Sequence, residues 1–187
     1  MANFKGTVFE SVRMFAEHQF GPEAHDRLLS ELSSADREVL TGANAIAWYP
    51  IEPVLRYHHA LDRIYGTGDL SLCEQAGRFS ASWSMNHVLK VFLRFRSPDW
   101  LVERATSVWG RYHDSGRWEI VTDANHPQRI QGSLRDFAVR DRAFCARLCG
   151  WLAGAAELTG GKHANVFETH CVCKGADHCS FAISWRK

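Results

Sequence analysis

Apolar side chains recur every three or four positions through the first two-thirds of the chain, the spacing of amphipathic helices. Helices are predicted over residues 4–20, 22–32, 52–65, 70–95 and 98–113. Ser97 is suited to cap the last of these, because the proline after it is favoured at the first helical position. A short turn after the second helix can be capped by Ser34 or Asp36.

After the turn at Asp114, polar and apolar residues alternate instead, which predicts strands. The predicted strands cover residues 117–124, 128–137, 164–173 and 179–185, and a helix is predicted over 141–158. Gly132 is expected to kink the second strand, and residues 174–177 to join the last two as a hairpin. This order predicts an α+β fold in which an N-terminal helical part packs on a small antiparallel sheet with a C-terminal β-hairpin.

Composition narrows the possible functions. The chain has 187 residues and no repeat or linker, which predicts a single domain over 1–187. Lys plus Arg is 22 against 21 for Asp plus Glu, so nothing favours a nucleic-acid partner or a membrane surface. The sequence shows no signal peptide and no membrane-spanning run, so we expect a cytoplasmic protein with reduced cysteines.

Three of the six cysteines lie within residues 167–179, in the predicted hairpin. Thiolates are good ligands for zinc, and two neighbouring strands with a packed helix can bring several of them together. Candidate ligands are Cys171 or Cys173 on one strand, Cys179 on the other, Cys145 or Cys149 on the late helix, and His170. The alternative is that these cysteines are simply small buried side chains.

The spacing within this segment resembles a known family. The run Glu168-x-x-Cys171, followed by Gly175, Cys179 and a Phe-x-Ile strand, is similar to the C-terminal motif of the four-vinyl-reductase-like domain. In the branch that senses phenols, the motif holds a structural zinc through one helix cysteine, one glutamate and two cysteines. The resemblance implies that Cys145, twenty-three positions before Glu168, is the helix ligand.

That ligand set requires an irregularity in the strand that carries Glu168. Glu168 and Cys171 are an odd number of residues apart, so a regular strand would turn them to opposite faces. A bulge or strand end near Thr169 is therefore required, unless His170 or Cys173 replaces the carboxylate. Four protein ligands leave no open position for a reactive water, so the implied zinc is structural.

The resemblance extends more broadly to the superfamily that contains haem-based H-NOX sensors and TRAPP tethering subunits. The segment from "AWYPIEP" to "VWGRYHDSGRWEI" is also similar to a paralogous family of myxobacteria. H-NOX domains hold the haem propionates with a Tyr-x-Ser-x-Arg triplet, which is absent here. Haem is accordingly a minor hypothesis.

Aromatic residues are abundant, with 7 Trp and 11 Phe, so the core can enclose an apolar ligand. Candidate ligand-binding residues are Trp83, His87, Trp109 and His113. Each histidine sits among aromatic residues and could bond a ligand or coordinate iron, although a satisfied structural histidine is the simpler interpretation. His58 and His59 point about 100° apart on a helix and are expected to form a surface pair.

The sequence therefore predicts a regulatory, non-enzymatic domain that binds a small hydrophobic or aromatic molecule and contains zinc. We expect a homodimer with a contact on the N-terminal helix at Val8, Val12 and Phe15, and a possible signalling partner protein. An enzyme or accessory factor for a tetrapyrrole-like substrate and a ligand-free interaction scaffold are the alternatives.

Overall fold

A computed structural model describes residues 2–88 and 97–186, without the side chains of residues 84–88. Its helices are α1 Gly6–Phe20, α2 Ala24–Ser30, α3 Ser34–Gly42, α4 Glu52–Tyr65, α5 Ser71–Val88, α6 Pro98–Glu103, α7 Ala105–Trp109 and α8 Arg142–Leu158. Its strands are β1 Asn3–Lys5, β2 Trp48–Pro50, β3 Arg117–Thr122, β4 Arg129–Arg135, β5 Lys162–His170 and β6 Cys179–Arg186. The predicted α+β class is confirmed.

Polar side chains cap the helices at residues where the backbone is extended. Ser97 and Asp141 accept hydrogen bonds from the first turns of α6 and α8, and the cap at Ser97 was predicted. The cap of α3 is Ser33, whose hydroxyl accepts from the backbone N–H of Asp36. The prediction of Ser34 or Asp36 as the cap was therefore wrong by one position or more, and Asp36 supplies the N–H instead.

The predicted helix over residues 98–113 is two short helices. Arg104, at φ −115° and ψ 10°, lies outside the helical region and separates α6 from α7. At the end of α7, the indole N–H of Trp109 donates to the carbonyl oxygen of Ser115 across the turn that leads to β3. The change of direction turns Trp109 into the core, where it is buried.

The main sheet is antiparallel with strand order β3-β4-β6-β5, while β1 and β2 form a separate pair. Gly132 keeps regular register with both neighbouring strands, so the predicted kink is absent. A Cβ at this position would lie 2.9 Å from the indole of Trp118 on β3. The glycine therefore makes room for an aromatic ring on the inner face of the sheet.

The apolar side of α1 packs into the body of the molecule. Val8, Val12 and Phe15 are all buried in the main hydrophobic core. The expectation that this stripe forms a twofold contact was wrong, because the face is already covered by the chain itself. No helix among the described residues is both long and apolar enough to cross a membrane.

Candidate ligand cavity and cysteine cluster

The predicted metal ligands of the C-terminal segment lie together. Cys145 on α8, Glu168 on β5, Cys171 just after β5 and Cys179 at the start of β6 each offer a ligand atom, and these atoms lie within 4.8 Å of one another. The register of β5 against β6 shifts between Glu168 and His170, as the odd spacing of the motif requires. This irregularity turns the carboxylate and the first thiol of the hairpin to the same side.

Hydrogen bonds connect the members of this cysteine cluster. The Sγ atoms of Cys145 and Cys171 are 3.7 Å apart, and Arg142 donates to both Glu168 and the Cys171 sulfur. Contact with the Cys145 thiol lowers the pKa of Cys179 to about 6 and raises the pKa of Cys145. One member of the cluster is therefore predisposed to be a thiolate, the form that binds metals.

The alternative ligands lie outside this group of four, although the thiol of Cys173 interacts with those of Cys171 and Cys145. Cys173 is exposed in the 3₁₀ turn that follows β5, and His170 is exposed with its ring stacked on His178. Cys149, one helical turn beyond Cys145, is half-buried, and burial raises its pKa to about 12. Of the candidates left open by the sequence, the structure brings together Cys145, Glu168, Cys171 and Cys179.

A second site is an apolar cavity between the helices and the inner face of the main sheet. Its volume is about 80 Å³, and its wall includes Val8, Val108, Trp118, Ile120, Ile130 and Leu148. Polar groups in the wall include Thr7 on α1, His113 after α7 and Arg147 on α8, together with Ser80 and Tyr112. A small space with an apolar wall and a few polar groups is the usual composition of a ligand site.

His113 is the polar group that the sequence anticipated. Its Nδ1–H donates to the backbone carbonyl of Trp109 at 3.2 Å, and its ring stacks on the Trp109 indole at 3.5 Å. The other ring nitrogen, Nε2, is buried and has no hydrogen-bond partner among the described residues. Burial lowers the pKa of His113 to about 3, so the ring is neutral at pH 7 and Nε2 carries a lone pair.

The remaining predicted ligand residues are only partly placed at this cavity. Trp109 lines it together with His113. Trp83 on α5 is half-buried and is not among the described residues of the wall. The side chain of His87 lies outside the described residues.

The two adjacent histidines of α4 have opposite environments. His59 is exposed and pairs with Asp141, whereas His58 is 1% exposed and donates from Nδ1 to the carbonyl of Val54. The expected surface pair was therefore wrong for His58, because the 100° between neighbours turns one of them into the core. The thiol of nearby Cys73 donates to the backbone carbonyl of His58, and burial raises the pKa of this thiol to about 12.

Sequence reasoning missed two polar groups of the cavity, Thr7 and Arg147. Thr7 Oγ1 and Arg147 Nε are buried without a hydrogen-bond partner. Arg147 sits between Phe144 and Leu148 on the apolar side of α8. For Arg147, the sequence signal was the presence of a charged residue within the apolar stripe of α8.

No family model matches the sequence, and no curated protein matches it. Solved structures do match in fold. An H-NOX protein from S. oneidensis in the Fe(II)NO state gives a TM-score of 0.74 at 19% identity, with 98% of this chain and 99% of that chain covered. Unliganded Fe(II) H-NOX from K. algicida gives 0.70 at 13% identity, covering 98% and 97%. A structure from work on heme distortion in the H-NOX family gives 0.72 at 13%, covering 98% and 95%.

These similarities correct the prediction of structural zinc as the cofactor. The similar structures are described in iron states or by their heme, and their descriptions name no zinc. Kinship with four-vinyl-reductase-like domains or TRAPP subunits in particular is not confirmed. What the similarity establishes is that this chain has the H-NOX fold over nearly its whole length.

Proposed function

We propose that the chain is a small-molecule-binding sensory domain whose ligand occupies the cavity beside His113. The observation that carries this proposal is the lone pair of His113 Nε2, which is buried in the wall of an apolar cavity and has no partner in the described part of the chain. A buried acceptor left unpaired is unfavourable by about 1–3 kcal/mol. A ligand that supplies an O–H or N–H group to this nitrogen would recover that free energy.

The size of the cavity limits the class of ligand. Pockets for drug-sized molecules have volumes of about 300–1,000 Å³, whereas this cavity has about 80 Å³. The wall contributes flat rings from Trp109, Trp118 and Trp151. A molecule of about one aromatic ring with a single hydrogen-bond donor fits these dimensions and surfaces.

Haem, the group named for the structural neighbours, meets only part of the requirements. His113 could bind a haem iron, because Nδ1–H is held by a backbone carbonyl and Nε2 has no partner among the described residues. Ser133 and Arg135 have the spacing of the last two members of the H-NOX triplet, but they point to the outer face of the sheet. There Ser133 bonds to Ser180 and Arg135 to Glu119. We therefore base the proposal on the cavity residues alone.

Phenol and toluene differ by one hydroxyl and provide the test. We expect the protein to bind phenol about 5- to 100-fold more tightly than toluene by calorimetry, because only phenol satisfies His113 Nε2. His113→Leu should abolish this preference while toluene still binds, and His59→Leu on the surface should preserve it. If His113→Leu kept the preference, His113 would not be the anchor.

A titration with hemin tests whether His113 Nε2 binds iron or a hydrogen-bond donor such as phenol. A Soret band that forms with the wild-type chain and is lost in His113→Leu would assign the nitrogen to iron. Displacement of that band by phenol would place both molecules at one site.

The cysteine cluster supports a second, separate proposal, that these four residues bind a metal ion. Cys179→Ser is expected to lower metal affinity by more than 100-fold, because changes to outer-shell partners alone cost about 10–100-fold. Elemental analysis per chain measures the effect, with Cys73→Ser, a cysteine of α5 outside the cluster, as the control. Equal metal content in the two variants, or none in the wild-type chain, would contradict the proposal.

A further inference from the structure

Arg147 is a buried cation without a carboxylate partner. The residue is 5% exposed, and its Nη2 donates to the hydroxyl of Ser80 at 2.9 Å. That bond is the only one its guanidinium makes to the described residues, and Nε has no partner. None of the salt bridges among residues 2–83 and 97–186 involves Arg147.

The segment whose side chains are not described offers no side-chain carboxylate that could pair with Arg147. Residues 84–96, SMNHVLKVFLRFR, contain no aspartate or glutamate. Burial lowers the pKa of Arg147 to about 10, which still leaves the guanidinium protonated at pH 7. Buried charges in proteins are normally paired, because an isolated one is strongly unfavourable.

The charge of Arg147 acts on the aromatic and histidine rings near it. Arg147 lies over the ring of Phe4 at 5.9 Å, and the ring of His113 packs edge-on against the same phenylalanine at 4.6 Å. After burial, the charge of Arg147 is the next cause that lowers the pKa of both His58 and His113. The cavity wall thus contains one cation, the neutral His113 and no anion among the described residues.

We propose, on the basis of the ligand site described above, that the natural ligand is a small organic acid whose carboxylate binds Arg147. A guanidinium binds a carboxylate through two parallel hydrogen bonds, which provides both charge and direction. The unpartnered hydroxyl of Thr7 in the same wall can donate to the same group. The apolar part of the acid then fills the space between the tryptophans.

The three polar groups together specify the ligand further. Arg147 and Thr7 donate hydrogen bonds, whereas His113 Nε2 accepts one. An aromatic acid with a hydroxyl group away from the carboxylate satisfies all three. One guanidinium neutralises one negative charge, which favours a monocarboxylate over a phosphate ester.

Porphyrin propionates carry the same carboxylate chemistry, so the experiment must distinguish the two sources. Benzoate and its neutral isostere benzamide are titrated into the full chain by calorimetry, and hemin is titrated in parallel. Wild-type protein is expected to bind benzoate about 10- to 100-fold more tightly than benzamide, the ratio expected for a hydrogen bond to a charged group. Arg147→Met should bring the two affinities together, and Arg140→Met, which alters an exposed arginine, should not.

Arg147→Lys provides a second variant that keeps the charge but removes the two-pronged geometry, and it should weaken benzoate without affecting benzamide. If benzamide binds as well as benzoate to the wild-type chain, this inference is overturned and the cavity proposal stands. If neither benzoate, benzamide nor phenol binds, the cavity proposal fails as well. If hemin binds in an Arg147-dependent manner and benzoate does not, the carboxylate belongs to a porphyrin and the small-acid inference is overturned.

Discussion

Acidification from pH 7 to pH 4 is expected to destabilise this protein strongly. His58 and His113 are held neutral inside the fold, and burial lowers the pKa of each from 6.5 to about 3. The unfolded chain binds two protons as the pH falls through 6.5, and the folded chain does not bind them until about pH 3. The stability contributed by these two neutral histidines is therefore fully present above pH 6.5 and is lost as the pH falls toward 3.

The size of this effect follows from the width of the pH window. Each histidine lowers the free energy of unfolding by about 1.4 kcal/mol per pH unit, so the pair lowers it by roughly 7 kcal/mol at pH 4. Domains of this kind are stable by about 5–15 kcal/mol. Burial also lowers the pKa of His25, which adds to the effect in the same direction.

Urea unfolding at a series of pH values measures the effect. His58→Leu should reduce the slope of stability against pH by about one proton, whereas Leu55→Ala, a buried change on the same helix, should lower stability evenly at every pH. An unchanged slope in His58→Leu would mean that this histidine is protonated within the folded protein.

The sequence predicts the fold well where local chemistry determines it. The helix over Glu52–Tyr65 has the predicted bounds, because prolines and glycines define both ends. The irregularity near Thr169 is confirmed, because parity along a strand is a geometric constraint. The cysteine cluster did not follow from such rules alone, because they left Cys145 or Cys149 and Cys171 or Cys173 open, and only the family resemblance implied the set of four.

The cavity is harder to predict because it depends on tertiary packing. His113 and Arg147 are thirty-four positions apart and meet only after α8 packs against the helices before β3. Arginine is rarely buried without a partner, so its residue type favoured the surface. Only its position between Phe144 and Leu148 indicated otherwise. Likewise, periodicity shows that His58 and His59 diverge, but not which of them faces the core.

The contact between α5 and α8 is the other feature with a large expected effect. At their crossing, a Cβ added to Gly150 would lie 1.8 Å from the backbone oxygen of Glu74. A Cβ on Gly77 would lie 1.9 Å from the backbone oxygen of Arg147. Both obstacles are main-chain atoms, so neither can be relieved by a rotamer change. The backbones of the two helices approach closely only because both positions are glycine.

Gly150→Ala is expected to destabilise the protein by more than about 3 kcal/mol, the upper part of the usual range for overpacking, since the two helices must separate. Gly42→Ala is the matched control, because a Cβ there has no atom within 4 Å, and it should leave stability unchanged or raise it by up to about 1 kcal/mol. Since α8 also carries Arg147 and Cys145, the same separation should weaken benzoate binding and disturb the cysteine cluster. If Gly150→Ala unfolds at the wild-type urea concentration, the helices are farther apart than this crossing requires.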